Sequence, residues 1–274
     1  MQDALQKQLA IDTHSEQAEL FASRYAAIGD DPYRDCFGYS RHRLNLWLNK
    51  FLPVRGEGLR LLDAGCGTGY HLARYRERGF EITGVDGSEE MLREAKAVNP
   101  GWPGWSGWPG IEFHRGDVDS LPLPDAVFDY ALCIEVLRYL PEIGPCIGEI
   151  ARVLKPGGMA LVTAAPPLQA NAYWPVNRLA TALKPGNLTA LKQFFHSSGR
   201  LRREFGAAGF GAVEVHGVYG GPMIWIERLI PSAMPRLLEC WEKVDERLAD
   251  APVLRHFSNM FLVCARKLDE VKKR

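Results

Sequence analysis

A chain of 274 residues with 46% hydrophobic and 24% charged residues can bury one sizeable core, or one core and a cap. Its 33 basic and 33 acidic side chains cancel to a formal net charge of zero, which argues against the broad basic footprint of a nucleic-acid binder. No apolar run approaches the roughly 18 to 20 residues that span a bilayer, and the N-terminus has no basic stretch leading into an apolar one, so a cytoplasmic protein is expected. The six cysteines, Cys36, Cys66, Cys133, Cys146, Cys240 and Cys264, form no CxxC pair and read as thiols of a reducing compartment; no metal is expected.

Residues 1–55 precede the first strand pattern and are expected to form a helical cap segment. From about residue 58, short apolar runs alternate with helical patterns, the rhythm of a parallel sheet covered on both faces. The chain order predicts a strand at 59–64, a helix at 70–79, a strand at 80–86, a helix after Ser88 as N-cap, and strands at 111–117 and 128–135. The stretch "PCIGEIARVLKPGG" (145–158) reads as a helix ended by Pro156 and the glycines before a strand at 159–165, then come a helix at 198–209 and strands at 212–219 and 259–267. The sum is an α/β fold: a seven-stranded, mostly parallel Rossmann-like sheet with helices on both faces and the last strand antiparallel. Residues 56–274 form that domain, with cap insertions at about 166–197 and 220–257. The second insertion mixes apolar and charged residues at helical spacing, with enough acidic residues to favour a packed cap over a membrane-surface helix.

"LLDAGCGTGY" (61–70) is a strand running into a glycine turn and then a helix, which lets backbone approach a ligand and aims helix N–H groups at it. Its glycines are Gly65, Gly67 and Gly69, and Tyr70 stands where the dinucleotide pattern G-x-G-x-x-G wants its third. Asp86 closes the second strand, 21 positions after Gly65, a spacing suited to a carboxylate that accepts from ribose hydroxyls. Asp117, after the third strand, is placed to accept an exocyclic adenine amine; as a bare turn residue it would bond its own backbone instead.

Four stretches in order, "LLDAGCGTGYHL", "ITGVDGSEEML", "IEFHRGDVDSLPLPDAVFDYALCIEVLRYLP" and "EIARVLKPGGMALVTAAP", resemble the motifs of class I S-adenosylmethionine-dependent methyltransferases, especially the ubiquinone and menaquinone methyltransferase-like (type 11) branch. The resemblance covers about residues 58–166. It implies an S-adenosylmethionine site, with S-adenosylhomocysteine as product, built from Asp63, Ala64, Gly65, Cys66, Gly67, Gly69, Asp86, Gly87, Met91, Asp117, Val118, Cys133, Ile134 and Glu135. In that reading Asp63 orders the loop around the amino end of the cofactor and Asp86 holds the ribose. Met91 sits beside the adenine, Asp117 and the Val118 backbone recognise its amine, and residues 133–135 flank the sulfonium.

The methyl acceptor is expected to be a small molecule or lipid-linked, with oxygen as the methylated atom and no nucleic acid involved; a homodimer is an expected assembly. Relatives often carry a histidine pair after "VL" in the fourth-strand motif, whereas this sequence has Arg138 and Tyr139. His196, Glu135 and Tyr139 are the candidate catalytic residues, and the aromatic residues Tyr25, Tyr33, Tyr39, Tyr173, Trp174 and Phe195 the candidate acceptor contacts. A protein that holds the cofactor without turnover and an RNA methyltransferase are the alternatives; Tyr70 and Asp117 disfavour a nicotinamide oxidoreductase. The tryptophan-rich loop "GWPGWSGWPG" (101–110) is expected at the amino end of the sheet, away from the cofactor.

Overall fold

The computed structural model describes residues 2–28, 31–98, 110–171 and 192–269, so Tyr173, Trp174 and the tryptophan loop up to residue 109 lie outside the described residues. Helices α1 (Gln2–Glu16), α2 (Ala18–Ala26) and α3 (Cys36–Phe51) come first, and the Asp35 carboxylate caps α3 by accepting from the Gly38 N–H at 2.7 Å. Strands and helices then alternate as β1 (Arg60–Ala64), α4 (Tyr70–Arg76), β2 (Glu81–Asp86), α5 (Glu89–Val98), β3 (Ile111–Arg115) and β4 (Phe128–Cys133). After them follow α6 (Gly144–Val153), β5 (Leu154–Ala164), α7 (Ser198–Ala207), β6 (Phe210–Tyr219), α8 (Met223–Leu229), α9 (Met234–Leu248) and β7 (Met260–Lys267).

The seven strands lie in the order β3-β2-β1-β4-β5-β7-β6, parallel except for β7, which runs antiparallel to both β5 and β6. The chain winds outward from β1 through β2 to β3, then crosses back to place β4 on the other side of β1. Loops leaving the carboxyl ends of β1 and β4 therefore diverge and open a crevice at this switch point.

Ser88 caps α5 as expected, its Oγ accepting from the Met91 N–H at 3.1 Å, and Ser197 caps α7, its Oγ accepting from the Arg200 N–H at 3.2 Å. The helix expected to end at Pro156 stops at Val153, and Leu154 already pairs with Phe128 in the sheet. Pro156 has no N–H for the helix and pushes Lys155 towards extended backbone; a bulge over 155–158 follows before Met159 pairs with Tyr130. The fourth strand ends at Cys133, two residues earlier than expected, because Glu135 takes a left-handed φ of +64° and cannot continue the ladder.

Alternation along each strand divides the core. Leu62, Ala131 and Val162 point to one face, under Ile147 and Ile150 of α6 and Leu201 and Phe205 of α7. Leu61, Leu132 and Leu161 point to the other, under Leu44 and Leu48 of α3 and Leu72 of α4. A smaller cluster of Tyr39, Met223, Met234 and Leu238 fastens α3 to α8 and α9. Among the described residues, no helix is long and apolar enough to cross a membrane.

Candidate functional site

The β1 loop is tied to the neighbouring strand before it meets any ligand. Gly65 and Cys66 both donate their N–H groups to the Val85 carbonyl, at 2.7 and 3.0 Å. Gly65, Gly67 and Gly69 adopt φ values of +80°, +53° and +81°, which L side chains rarely take. A Cβ at Gly65 would also stand 2.3 Å from Val136 Cγ2, so this glycine is required by both backbone and space.

Asp86, at the end of β2, accepts from the Gly67 N–H through Oδ2 at 2.8 Å and from the Ser88 N–H through Oδ1 at 2.9 Å. Each oxygen keeps a lone pair for a further donor. Asp63, at the end of β1, is buried, and neither of its carboxylate oxygens has a hydrogen-bond partner. Burial, with the charge of Asp86 adding to it, pushes its carboxyl up to about 7. A buried acid without partners, at the wall of a cavity, is a group built to meet a cation.

That cavity holds about 600 Å³ and extends from the glycine loop past Met91 and Val118 to Tyr25, Phe37, Tyr39 and Tyr219. Asp117 lines it but is ion-paired with Lys7 of α1, which also bonds Asp119 at 2.6 Å, and its Oδ1 accepts from the Asp119 N–H at 2.9 Å. Thus α1 lies across the ends of β2 and β3, and Ser15 Oγ donates to Ser88 Oγ at 2.7 Å from the same helix.

Of the residues singled out from sequence, Asp63, Gly65, Cys66, Gly67, Asp86, Gly87, Met91, Asp117, Val118, Ile134, Glu135, Tyr139, Tyr25 and Tyr39 line this one cavity. Ala64 and Cys133 are packed in the core beneath it, and Gly69 serves as the N-cap of α4. Tyr33 is turned away, its hydroxyl bonded to Glu242, and Phe195 is half-buried off the cavity wall.

The three catalytic candidates part company. His196 is fully buried and does not line the cavity; its Nε2 donates to the Leu137 carbonyl at 3.0 Å and its N–H to the Ala165 carbonyl at 2.8 Å. It ties the chain after residue 192 to the β4 and β5 loops, and a proton on acceptor is out of its reach. Glu135 faces the cavity, with its N–H bonded to Thr163 Oγ1 at 2.6 Å and its carboxylate bridged by Arg41 and Arg138. Burial alone would raise its carboxyl, but the two guanidiniums outweigh that and hold it below the usual range. Tyr139 lines the cavity, with the His14 ring edge-on at a centroid distance of 4.7 Å.

Sequence reasoning missed Arg41, His14, Lys7, His71 and Tyr219, all cavity-lining. His71 stands inside the glycine-turn motif itself, while the other four come from α1, α3 and β6, outside the motifs. His71 is buried and, with Arg41 and Arg74 nearby, held down to about 3, so its ring is neutral.

Residues 62–162 match the family described as a methyltransferase domain. A malonyl-[acyl-carrier protein] O-methyltransferase of Serratia marcescens is 31% identical over 144 residues, covering 46% of this chain and 52% of that protein. A fatty-acid O-methyltransferase of Mycolicibacterium smegmatis is 33% identical over 131 residues, covering 47% of this chain and 45% of that one. The chain therefore spans about half the length of these curated relatives. An S-adenosylmethionine-dependent methyltransferase of Mesorhizobium loti shares the fold, with a TM-score of 0.57, 24% identity, and coverage of 81% of this chain and 96% of that one. Residues 62–162 thus match a methyltransferase domain, and the chain shares its fold with an S-adenosylmethionine-dependent methyltransferase.

Proposed function

We propose that this protein moves the methyl group of S-adenosylmethionine to an oxygen of a small or lipid-linked acyl acceptor by direct displacement. The observation that carries the reading is the single cavity joining the glycine loop, Asp63 and Asp86 to a wall of aromatic side chains. Relatives named for malonyl-[acyl-carrier protein] and fatty-acid O-methylation support the acceptor class.

The residues fit the cofactor. Asp63 offers unpartnered oxygens to an ammonium, and Asp86 offers free lone pairs to ribose hydroxyls. Met91 and Val118 present apolar surface for the adenine, whose amine shares Asp117 with Lys7. Gly67, beside which an added Cβ would meet nothing within 4 Å, leaves its backbone open to the methionine end. When bound, S-adenosylmethionine supplies a methyl already activated on a sulfonium. The protein's part is then alignment and exclusion of water, which can lower a barrier by roughly 7 to 11 kcal/mol. Residues 1–55 and the insertion at 220–257 serve as the cap, supported by cavity-lining side chains from α1, α2, α3 and α8. Free thiols at all six cysteines support a reducing, cytoplasmic setting, and the exposed Leu229 and Ile230 support a second copy as partner.

Calorimetric titration with S-adenosylmethionine, S-adenosylhomocysteine and NADH tests the reading. Binding of the first two alone is expected, with Asp86→Ala weakening it by about 1.5 to 3 kcal/mol. Binding of NADH alone would overturn it, and cofactor binding without S-adenosylhomocysteine formation on any acyl acceptor would reduce it to a binding protein.

A further inference from the structure

Two guanidiniums and one carboxylate meet in the cavity wall. Arg41 of α3 is 6% exposed and donates Nη2 to Glu135 Oε1 at 3.1 Å; its buried Nε and Nη1 have no hydrogen-bond partner. Arg138 donates Nη1 to Glu135 Oε2, and its buried Nε is also without a partner. Both side chains line the cavity. A buried donor left unmade is costly, and more so when charged, so three at one place mark a site shaped for a missing acceptor.

The charge balance points the same way. Among the described residues, Glu135 is the carboxylate ion-paired with either guanidinium, which leaves one positive charge uncompensated in a desolvated wall. Of the other acids of the cavity, Asp117 is engaged with Lys7, Asp35 at the cap of α3, Asp86 with the glycine loop, and Glu227 with the Cys36 N–H at 3.3 Å, while Asp63, whose carboxyl burial lifts to about 7, is ion-paired with neither guanidinium. The neighbouring His71 ring is neutral, and burial keeps the hydroxyls of Tyr25 and Tyr219 protonated. The arginines are also pre-set. Glu135 is pinned by its bond to Thr163, and the Arg41 guanidinium lies over Phe37, 5.2 Å from the ring centroid.

We propose that Arg41 and Arg138 bind a carboxylate brought into the cavity by a bound molecule, an inference that rests on the methyl-transfer reading. Within that reading two molecules carry one: an acceptor with a free carboxylate, and the methionine end of the cofactor. An acceptor carboxylate also accounts for the chemistry without a base. It is already deprotonated at neutral pH, whereas Glu135 is held as a weak base by its two arginines and His196 stands off the cavity. Its oxygen forms the new O–CH3 bond as the S–CH3 bond breaks and that electron pair stays on sulfur. The carboxylate and sulfonium charges cancel, no proton moves, and the methyl ester loses its hold on the guanidiniums.

The test is equilibrium binding to the wild type, R41Q, R138Q and R41K. Each is titrated with S-adenosylhomocysteine, with 5′-methylthioadenosine, which lacks the amino-acid end, and, once saturated with S-adenosylhomocysteine, with laurate and methyl laurate. If the acceptor is the source, laurate binds the wild type while its ester binds roughly tenfold or more weakly, and R41Q and R138Q lose about tenfold or more for laurate alone, with part recovered in R41K. If the cofactor is the source, both glutamine variants lose about tenfold or more for S-adenosylhomocysteine and nothing for 5′-methylthioadenosine. The proposal is overturned if the wild type binds S-adenosylhomocysteine but neither variant changes its affinity or that of laurate. A wild type that binds neither S-adenosylhomocysteine nor S-adenosylmethionine overturns the methyl-transfer reading itself. R138Q, at the less buried arginine, carries the test should R41Q fail to fold.

Discussion

Asp63 is the residue whose environment departs furthest from solution in a direction that a ligand can use. Its carboxyl, lifted to about 7 by burial and then by Asp86, is partly protonated at neutral pH. A ligand ammonium binds the ionised form, so affinity for S-adenosylhomocysteine should rise as pH climbs through about 7, and Asp63→Asn should flatten that profile and weaken binding; calorimetry between pH 6 and 8 reads both. Stability runs the opposite way. Between the ordinary value of 3.8 and about 7 the unfolded chain has lost this proton while the folded chain keeps it, so the group makes folding less favourable as pH rises across that window. Urea midpoints that fall from pH 4 to 7 in the wild type and less in Asp63→Asn would show the same proton from the other side.

Elements are positioned here by a few close approaches more than by propensity. β6 meets the end of α9 at Gly217, where an added Cβ would stand 1.9 Å from the Ala249 carbonyl oxygen, and where the Gly217 N–H donates to Asp250 Oδ1 at 3.0 Å. Gly217→Ala must move backbone, and a loss of about 1 to 3 kcal/mol or more in urea unfolding is expected, with little change in cofactor affinity. Tyr39 and Asp245 join α3 to α9 through a buried hydrogen bond of 2.7 Å, with Arg43 3.6 Å from the same carboxylate. Removing the acid as Asp245→Ala leaves the buried Tyr39 hydroxyl without its acceptor while Arg43 keeps Glu242 at 3.3 Å, so a cost of about 1 to 3 kcal/mol is expected in the same assay. In sequence Gly217 reads as one residue of the strand over 212–219; only the packing of Ala249, at the end of α9, gives it its role.

For the molecule as a whole, ligand and fold are coupled because the cavity is walled by α1, α2 and α3 as well as by the sheet. S-adenosylhomocysteine at a hundredfold over its Kd should add about 2.7 kcal/mol of stability, and at about 2 to 4 °C per kcal/mol this is a rise in Tm of roughly 5 to 10 °C. NADH at equal concentration should give none. A scan in which NADH raises Tm as much would count against the adenosyl site.

Order of strands, the cap at Ser88, the glycine turn and the acids ending β1 and β2 were legible along the chain, because each depends on local periodicity or on a motif contained in a few residues. Pro156 marked the end of α6 because it lacks the N–H a helix needs, and the helix stops three residues before it, at Val153. The arginine pair on Glu135, the latch of Lys7 on Asp117 and the removal of His196 from the cavity could not be read that way. Arg138 stands three residues from Glu135, but Arg41 and Glu135, Lys7 and Asp117, and His196 and the Leu137 carbonyl are separated by 59 to 110 residues in sequence, and which of them meet is fixed by how α1, α3 and the segment before α7 pack over the sheet, a long-range outcome that no local pattern encodes.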